Sequence, residues 1–330
     1  MLQRLAHWYY LFRATALLAS SFLQAGWYFR FRAAGDLALP PAQQLKAAEI
    51  RRWKHYFFGT TYLAVLFGAL TGRRRNRQER RLFSNLAALA CFFDDLADTF
   101  RANDDSGVLW KGNPEQYGRT ADPSGRALHL LQNIYKNLPP EQLAEFEQFM
   151  QRVFEVETAG RQQRGPAPGL PELARLTAEK GGYSVLLFRR TLALPLPAAE
   201  REAVYTFGSL IQLCDDIFDL WFDRQTHTVT LATVLTEQQD LHRLHRLFED
   251  QVAATIQAIR QTPYPAARRE TALRVVHFLV SITRVCLRHY RRLEKRRGGL
   301  PLDERSVMVV DMGLWSNRWR AARALMGRFN

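Results

Sequence analysis

The run Asp215-Asp216-Ile217-Phe218-Asp219-Leu220-Trp221-Phe222-Asp223 places carboxylates four residues apart inside a stretch that is otherwise apolar. On a helix, residues four apart drift by only about 40° per step, so Asp215, Asp219 and Asp223 are expected to share one face. Three carboxylates on one half-buried face repel each other and lose hydration, a cost that a cation in front of them relieves. Oxygen ligands of this kind suit Mg²⁺, which keeps several waters and binds through one or two carboxylates plus substrate phosphates. A second stretch, Asp94-Asp95-Leu96-Ala97-Asp98, repeats the DDxxD pattern. Such a pattern arises by chance on the order of 0.04 times in a chain of this size and average composition, so two are not an accident. Each follows an apolar helical run, and the two clusters are expected to rim one cavity mouth and hold a diphosphate between metal ions. Lewis acidity would then polarise the diphosphate as a leaving group. Phe92, Phe93, Phe188, Phe207, Phe218 and Trp221 lie near the motifs and could offer ring faces to a carbocation, against the more general role of core packing.

Helices must position these residues. The chain has 330 residues, 47% of them hydrophobic, enough for a sizeable core, and apolar residues recur at three-to-four spacing through nearly all of it. The pattern predicts helices over 42–70, 80–100, 125–138, 141–158, 171–194, 198–222, 237–261, 266–296 and 302–329, and no alternating strand. Turn residues separate them, as at Pro195-Leu196-Pro197 and Gly298-Gly299-Leu300-Pro301. One all-α domain, a single antiparallel bundle over residues 1–330, is the economical expectation. Residues 1–40 are expected to form a core or surface-docking helix, with a peripheral anchor or a cleaved or spanning segment as the alternatives: the uncharged run Ala14 to Phe29 is 16 residues long, short of the about 20 that a membrane span needs, and offers no convincing cleavage site. The uncharged run Tyr56 to Gly72 is also short for a span.

In these motifs the chain resembles the class I isoprenoid synthases, which include terpene synthases, trans-prenyltransferases, and squalene and phytoene synthases. Asp94, Asp95 and Asp98 resemble that superfamily's first aspartate-rich motif. Gln212 followed by Asp215, Asp216 and Asp219 resembles the second motif of prenyltransferases, while Asp215, Asp219 and Asp223 fall at the three metal-ligand positions of the terpene synthase triad. Glu179-Lys180-Gly181-Gly182-Tyr183 lies where these enzymes carry a diphosphate-binding cation, and Trp315-Ser316-Asn317-Arg318-Trp319 is similar to the terpene synthase ending in which an Arg-Tyr pair closes on the diphosphate. The resemblance implies an isoprenoid synthase bundle around an apolar cavity. It also implies Mg²⁺, in three ions, held by Asp94, Asp95, Asp98, Asp215, Asp219 and Asp223, with Lys180, Arg224, Arg318 and Trp319 on the diphosphate. The Gly-Gly-Lys-Arg-x-Arg-Pro and Arg-Arg-Gly signatures of chain-elongating prenyltransferases have no match. The expected activity is therefore that of a terpene synthase, with a chain-elongating or head-to-head prenyltransferase as the alternative.

The remaining signals concern partners and compartment. A formal net charge of +14, from 46 Lys+Arg against 32 Asp+Glu, attracts polyanions, anionic membranes or phosphorylated substrates alike. The run Arg73-Arg74-Arg75-Asn76-Arg77 is a basic patch without a zinc site or helix-turn-helix signature, so nucleic acid is not expected. Expected partners are a prenyl diphosphate, a membrane surface for peripheral docking, and a second copy of the chain. A noncatalytic, basic, membrane-associated helical protein is the alternative from another class. Three separated cysteines, Cys91, Cys214 and Cys286, fit a reducing cytoplasm and packing roles. Of the histidines, only His227, just beyond Asp223, is placed to reach the motif.

Overall fold

All regular structure among the described residues is helical. The computed structural model describes residues 2–102, 123–161, 169–312 and 314–326; side chains of 2–6, 42, 94–102, 123–124 and 160–161 lie outside that description. The chain divides into two compact units, Met1–Thr158 with Leu186–Leu196, and Ala159–Val185 with Pro197–Asn330.

In the first unit, α1 (Leu2–Tyr28) runs through a π-helical turn, Phe29–Ala33, into a single α-turn, Ala34–Leu37. It stops at Ala38, which takes the left-handed conformation at φ 50°. α2 (Ala47–Thr71) ends at Gly72, where φ of 68° suits a residue without a Cβ, and the Gly72 N–H donates to the Gly68 carbonyl. The two helices meet through aromatic rings. Phe29 packs on Trp53 and Phe57 at centroid distances of 4.7 and 5.3 Å, and Tyr28 stacks on Phe57 at 5.7 Å. α3 (Arg77–Ala102) packs against α2 and against α4 (Pro123–Asn137), and α5 (Pro140–Arg161) follows.

The start of α3 explains the basic run. Asn76 accepts the Glu79 N–H at 2.9 Å while the Glu79 carboxylate accepts the Asn76 N–H at 2.7 Å, a reciprocal cap. The same carboxylate, buried, accepts the Ala193 N–H at 2.9 Å and pairs with Arg73. Arg75 turns inward too, its guanidinium carbon 4.4 Å from the Phe83 centroid, and burial lowers its pKa to about 10. Part of the apparent patch is therefore internal structure.

In the second unit, α6 (Leu170–Arg190) contributes its residues up to Val185, followed by α7 (Ala198–Phe218), α8 (Leu220–Gln225), α9 (Leu231–Glu237), α10 (Leu241–Gln261), α11 (Ala266–Arg297) and α12 (Trp315–Leu325). α10 packs along α7, and α11 packs on α7, α10 and α12. Phe207, Leu210 and Ile217 of α7 form the core with Leu244 and Phe248 of α10 and Val276 and Leu287 of α11, all buried.

Three expected helices are interrupted or restarted, and those over 42–70 and 171–194 are shorter, as Ala47–Thr71 and Leu170–Arg190. The helix from 198 to 222 breaks at Asp219. The one from 237 to 261 restarts at Asp240, whose carboxylate accepts the Arg243 N–H at 2.9 Å as an N-cap after Gln239 turns to φ 58°. The one from 302 to 329 is a single turn, Arg305–Met308, and then α12. A periodic apolar pattern continues across such breaks because the following turn buries the same side.

We predict that Glu79→Ala lowers stability by about 3 kcal/mol, since it strands buried donors around a lost charge. Urea unfolding followed by circular dichroism measures this, and a loss near zero would contradict the buried-cap assignment.

Candidate functional site

Glycine inside a helix costs about 1 kcal/mol relative to alanine, so Gly181 and Gly182 of α6 and Gly208 of α7 call for a packing reason. The reason is backbone contact. A Cβ on Gly181 would stand on the Gly208 carbonyl oxygen, one on Gly208 would stand on the Gly181 carbonyl oxygen, and one on Gly182 would enter the Tyr205 ring. Around this crossing the Ser209 hydroxyl donates to the Ala178 carbonyl at 2.9 Å, and the Tyr183 and Tyr205 rings meet edge-on at 5.3 Å.

One turn along from the crossing, the register places α6 side chains against the aspartates. The Thr177 hydroxyl donates to Asp216 at 3.2 Å, and the Gln212 amide donates to the other Asp216 oxygen at 3.0 Å. Asp216 is thus buried and turned into the protein, whereas Asp215 and Asp219 are exposed and Asp223 is half-buried. Burial raises the Asp216 pKa to about 6, with Asp215 adding repulsion and Gln212, Lys180 and Thr177 opposing the rise.

α7 ends at Asp219, which has φ −91° and ψ 6°, yet the four-residue hydrogen bonding continues. Asp219 N–H donates to Asp215 carbonyl and Asp223 N–H to Asp219 carbonyl, both at 2.8 Å. The last turn of α7 is held from behind by the buried Tyr290 of α11, whose hydroxyl donates to the Ile217 carbonyl at 3.1 Å. Asp223 carries the strongest mark of the cluster. Burial pushes its pKa up to about 7, helped by the charges of Asp216, Asp219 and Asp215, while Lys180 pulls the other way. Lys180 thus lowers the pKa of both Asp216 and Asp223.

The donor chemistry suits Mg²⁺: hard oxygens in mutual repulsion that a divalent ion would relieve. Among the described residues no three His, Cys, Asp or Glu are drawn tightly enough together to hold a metal. The fit is to an ion that takes one or two carboxylates and completes its shell with water and phosphate oxygens.

Other expected residues are placed differently. Asp94, Asp95 and Asp98 lie on α3, and their side chains fall outside the described residues. Arg224 pairs with Glu237 at 3.0 Å. Arg318 and Trp319 are exposed on α12, where Arg318 donates to the Met312 carbonyl at 2.7 Å. Phe207 and Phe92 are buried, and Phe188 packs on Phe83 at 5.2 Å, so these three serve as core. All three cysteines are buried, with their thiol pKa values pushed up to about 12 by burial, and His227 is exposed. Sequence reasoning missed Thr177, although it lies four residues before Gly181, one turn along the same face. It also missed Arg305, whose guanidinium carbon lies 5.5 and 5.4 Å from the Trp221 and Phe222 centroids and which no motif signals. A separate cavity of about 400 Å³, between α6, α7 and α10, is lined by Tyr205, Ser209, Gln251 and Gln257 and by none of the aspartates.

Two outcomes follow for the metal-free protein. Gly208→Ala, a substitution that stabilises an ordinary helix interior, should instead destabilise by about 2 kcal/mol because overpacking forces the backbones apart. Thermal melts decide the sign. Asp223 keeps its proton to a higher pH when folded than when unfolded. Its stabilising effect is full below about pH 4 and is lost as the pH rises to about 7. Asp223→Asn should therefore melt above the parent at pH 8, and the difference should shrink toward pH 4; a difference constant with pH would contradict the assignment.

No protein-family model matches the chain, and no curated protein does. The chain is similar to a crystal structure of a geranyltransferase from Legionella pneumophila, over 86% of this chain and 99% of that one, at 13% identity and a TM-score of 0.45.

Proposed function

We propose that this chain is a Mg²⁺-dependent enzyme of the class I isoprenoid synthase type, which ionises a prenyl diphosphate and turns the allylic cation into a terpene with release of diphosphate. The observation that carries this assignment is the α6–α7 crossing, which brings Thr177 of α6 onto Asp216 within a repelling set of carboxylates at a helix end, in the field of Lys180, and within one DDxxD motif of a chain that has two. Asp215, Asp219 and Asp223 would hold Mg²⁺ with one or two of them on any one ion, and Asp94, Asp95 and Asp98 enter as carboxylates of the same kind. Bound Mg²⁺ supplies charge neutralisation that makes diphosphate a better leaving group.

The chain's own groups do the rest. Lys180 places an ammonium where diphosphate oxygens gather charge as the carbon–oxygen bond breaks. Asp216, fixed by Thr177 and Gln212, holds its charge in the field of Lys180 and is proposed as a positioning residue. Arg224 joins the diphosphate by exchanging the Glu237 carboxylate for a phosphate, a swap between anionic partners that its partly exposed setting allows. Arg318 and Trp319 are proposed to close on the diphosphate from α12. Transfer of the cation to a second prenyl diphosphate would begin with the same ionisation.

Incubation with prenyl diphosphates of several lengths and Mg²⁺ should release inorganic diphosphate, with chelation stopping it. Asp215→Ala and Asp94→Ala should each lower turnover at least about 100-fold without unfolding the chain. Product from a single substrate assigns a terpene synthase, and product only in the presence of a second prenyl diphosphate assigns a transferase. Folded protein that releases no diphosphate from any substrate would falsify the proposal.

A further inference from the structure

α1 is apolar on both sides, and only one side is covered. Its inner face, with Leu11, Ala14 and Ala25 buried and with Tyr28 and Phe29 against Trp53 and Phe57, accounts for the packing on α2. The outer face carries Trp8 and Trp27, which are 50% and 58% exposed, and Phe12 and Leu23, at 75% and 76%, and the π-helical turn that continues α1 adds Phe31, at 59%. Along α1 Trp8, Phe12, Leu23 and Trp27 fall in one broad stripe, because steps of four and eleven residues each return within about 40° of the start. The stripe is continuous at its C-terminal end, where the Trp27 and Phe31 rings meet at 5.6 Å. A helix that is apolar all round normally has neighbours all round, and a large exposed aromatic patch marks an interaction surface.

Charge selects the occupant. Between Met1 and Gly35 the sequence holds Arg4, Arg13, Arg30 and Arg32 and no acidic residue. Arg13, Arg30 and Arg32 are exposed, and the Arg30 guanidinium carbon lies 5.3 Å from the Phe31 centroid. A second copy meeting this face would bring arginines against arginines with no carboxylate to pair them. A bilayer bearing anionic headgroups supplies both needs, phosphate for the arginines and an acyl boundary for the rings, and tryptophan at such a boundary is favoured because its ring is apolar with one polar edge. No helix among the described residues is long and apolar enough to cross a membrane, so the contact is with the surface.

We propose that the outer face of α1 is a docking surface for an anionic phospholipid bilayer, with Trp8, Phe12, Leu23, Trp27 and Phe31 entering the headgroup boundary and Arg13, Arg30 and Arg32 pairing with lipid phosphates. This surface is independent of the aspartate cluster and of any activity there. The test is co-sedimentation of the full chain with vesicles of phosphatidylcholine alone or with about one third phosphatidylglycerol. Binding is expected to the anionic vesicles, to weaken between about 0.05 M and about 0.5 M salt, and to fall at least about tenfold in Phe12→Ser/Trp27→Ser and in Arg13→Gln/Arg30→Gln/Arg32→Gln. Unchanged circular dichroism melts establish that the variants fold, as the exposure of these side chains requires. Sedimentation equilibrium on the same proteins covers the other occupant. A parent dimer that Phe12→Ser/Trp27→Ser makes monomeric, with no vesicle binding, would overturn the proposal in favour of a second copy. A monomer that ignores anionic vesicles, or variants that bind them as the parent does, would overturn it outright.

Discussion

The backbone contact between Gly181 and Gly208 is the constraint on which the second unit's chemistry depends. Any side chain at either position would hold α6 and α7 apart, and the hydrogen bond from Thr177 to Asp216 and the influence of Lys180 on Asp216 and Asp223 would weaken with the separation. Three helix-interior glycines are individually unfavourable by about 1 kcal/mol each, a cost offset by what close approach permits. The contact is therefore better understood as a positioning device than as a packing optimum.

The electrostatics of the cluster follow from that placement. Asp216 is taken out of water and given two donors, which leaves it anchored inside, whereas Asp215 and Asp219 face solvent. Asp223 lies between these regimes and bears the repulsion of all three neighbours. The end of α7 would be a weak platform for such crowding if its last carbonyls were unpartnered. Tyr290 supplies a donor to Ile217 there, with its own proton held firmly because burial raises the phenol pKa well above the usual range. Stored repulsion at a rigid helix end is a state that a divalent cation stabilises more than a single proton can, since it brings two charges to one or two carboxylates and still leaves coordination positions free to meet water and phosphate.

Much of this was legible in the residues. Four-residue spacing of aspartates in an apolar run marked the cluster, three-to-four periodicity marked the all-α fold, and the separate direction of Asp216 follows from its rotation of about 100° from Asp215. The break at Asp219 was not legible, because the apolar pattern of Leu220, Trp221 and Phe222 carries on as though the helix were unbroken. Nor was the inward turn of Arg73 and Arg75, since a charge run looks solvated until a buried Glu79 and the Phe83 ring are found beneath it. Long-range partners such as Thr177, Tyr290 and Arg305 lie 39, 73 and more residues from their contacts, and no local pattern encodes such pairings.

The central claim, that this cluster with Lys180 holds a magnesium diphosphate, is tested most directly by calorimetric titration of inorganic diphosphate into the protein with and without Mg²⁺. The account predicts binding only when Mg²⁺ is present, abolished in Asp219→Asn and weakened at least about tenfold in Lys180→Met, where the stem remains and the charge is gone. Diphosphate binding that ignores Mg²⁺, or that survives both substitutions unchanged, would contradict it.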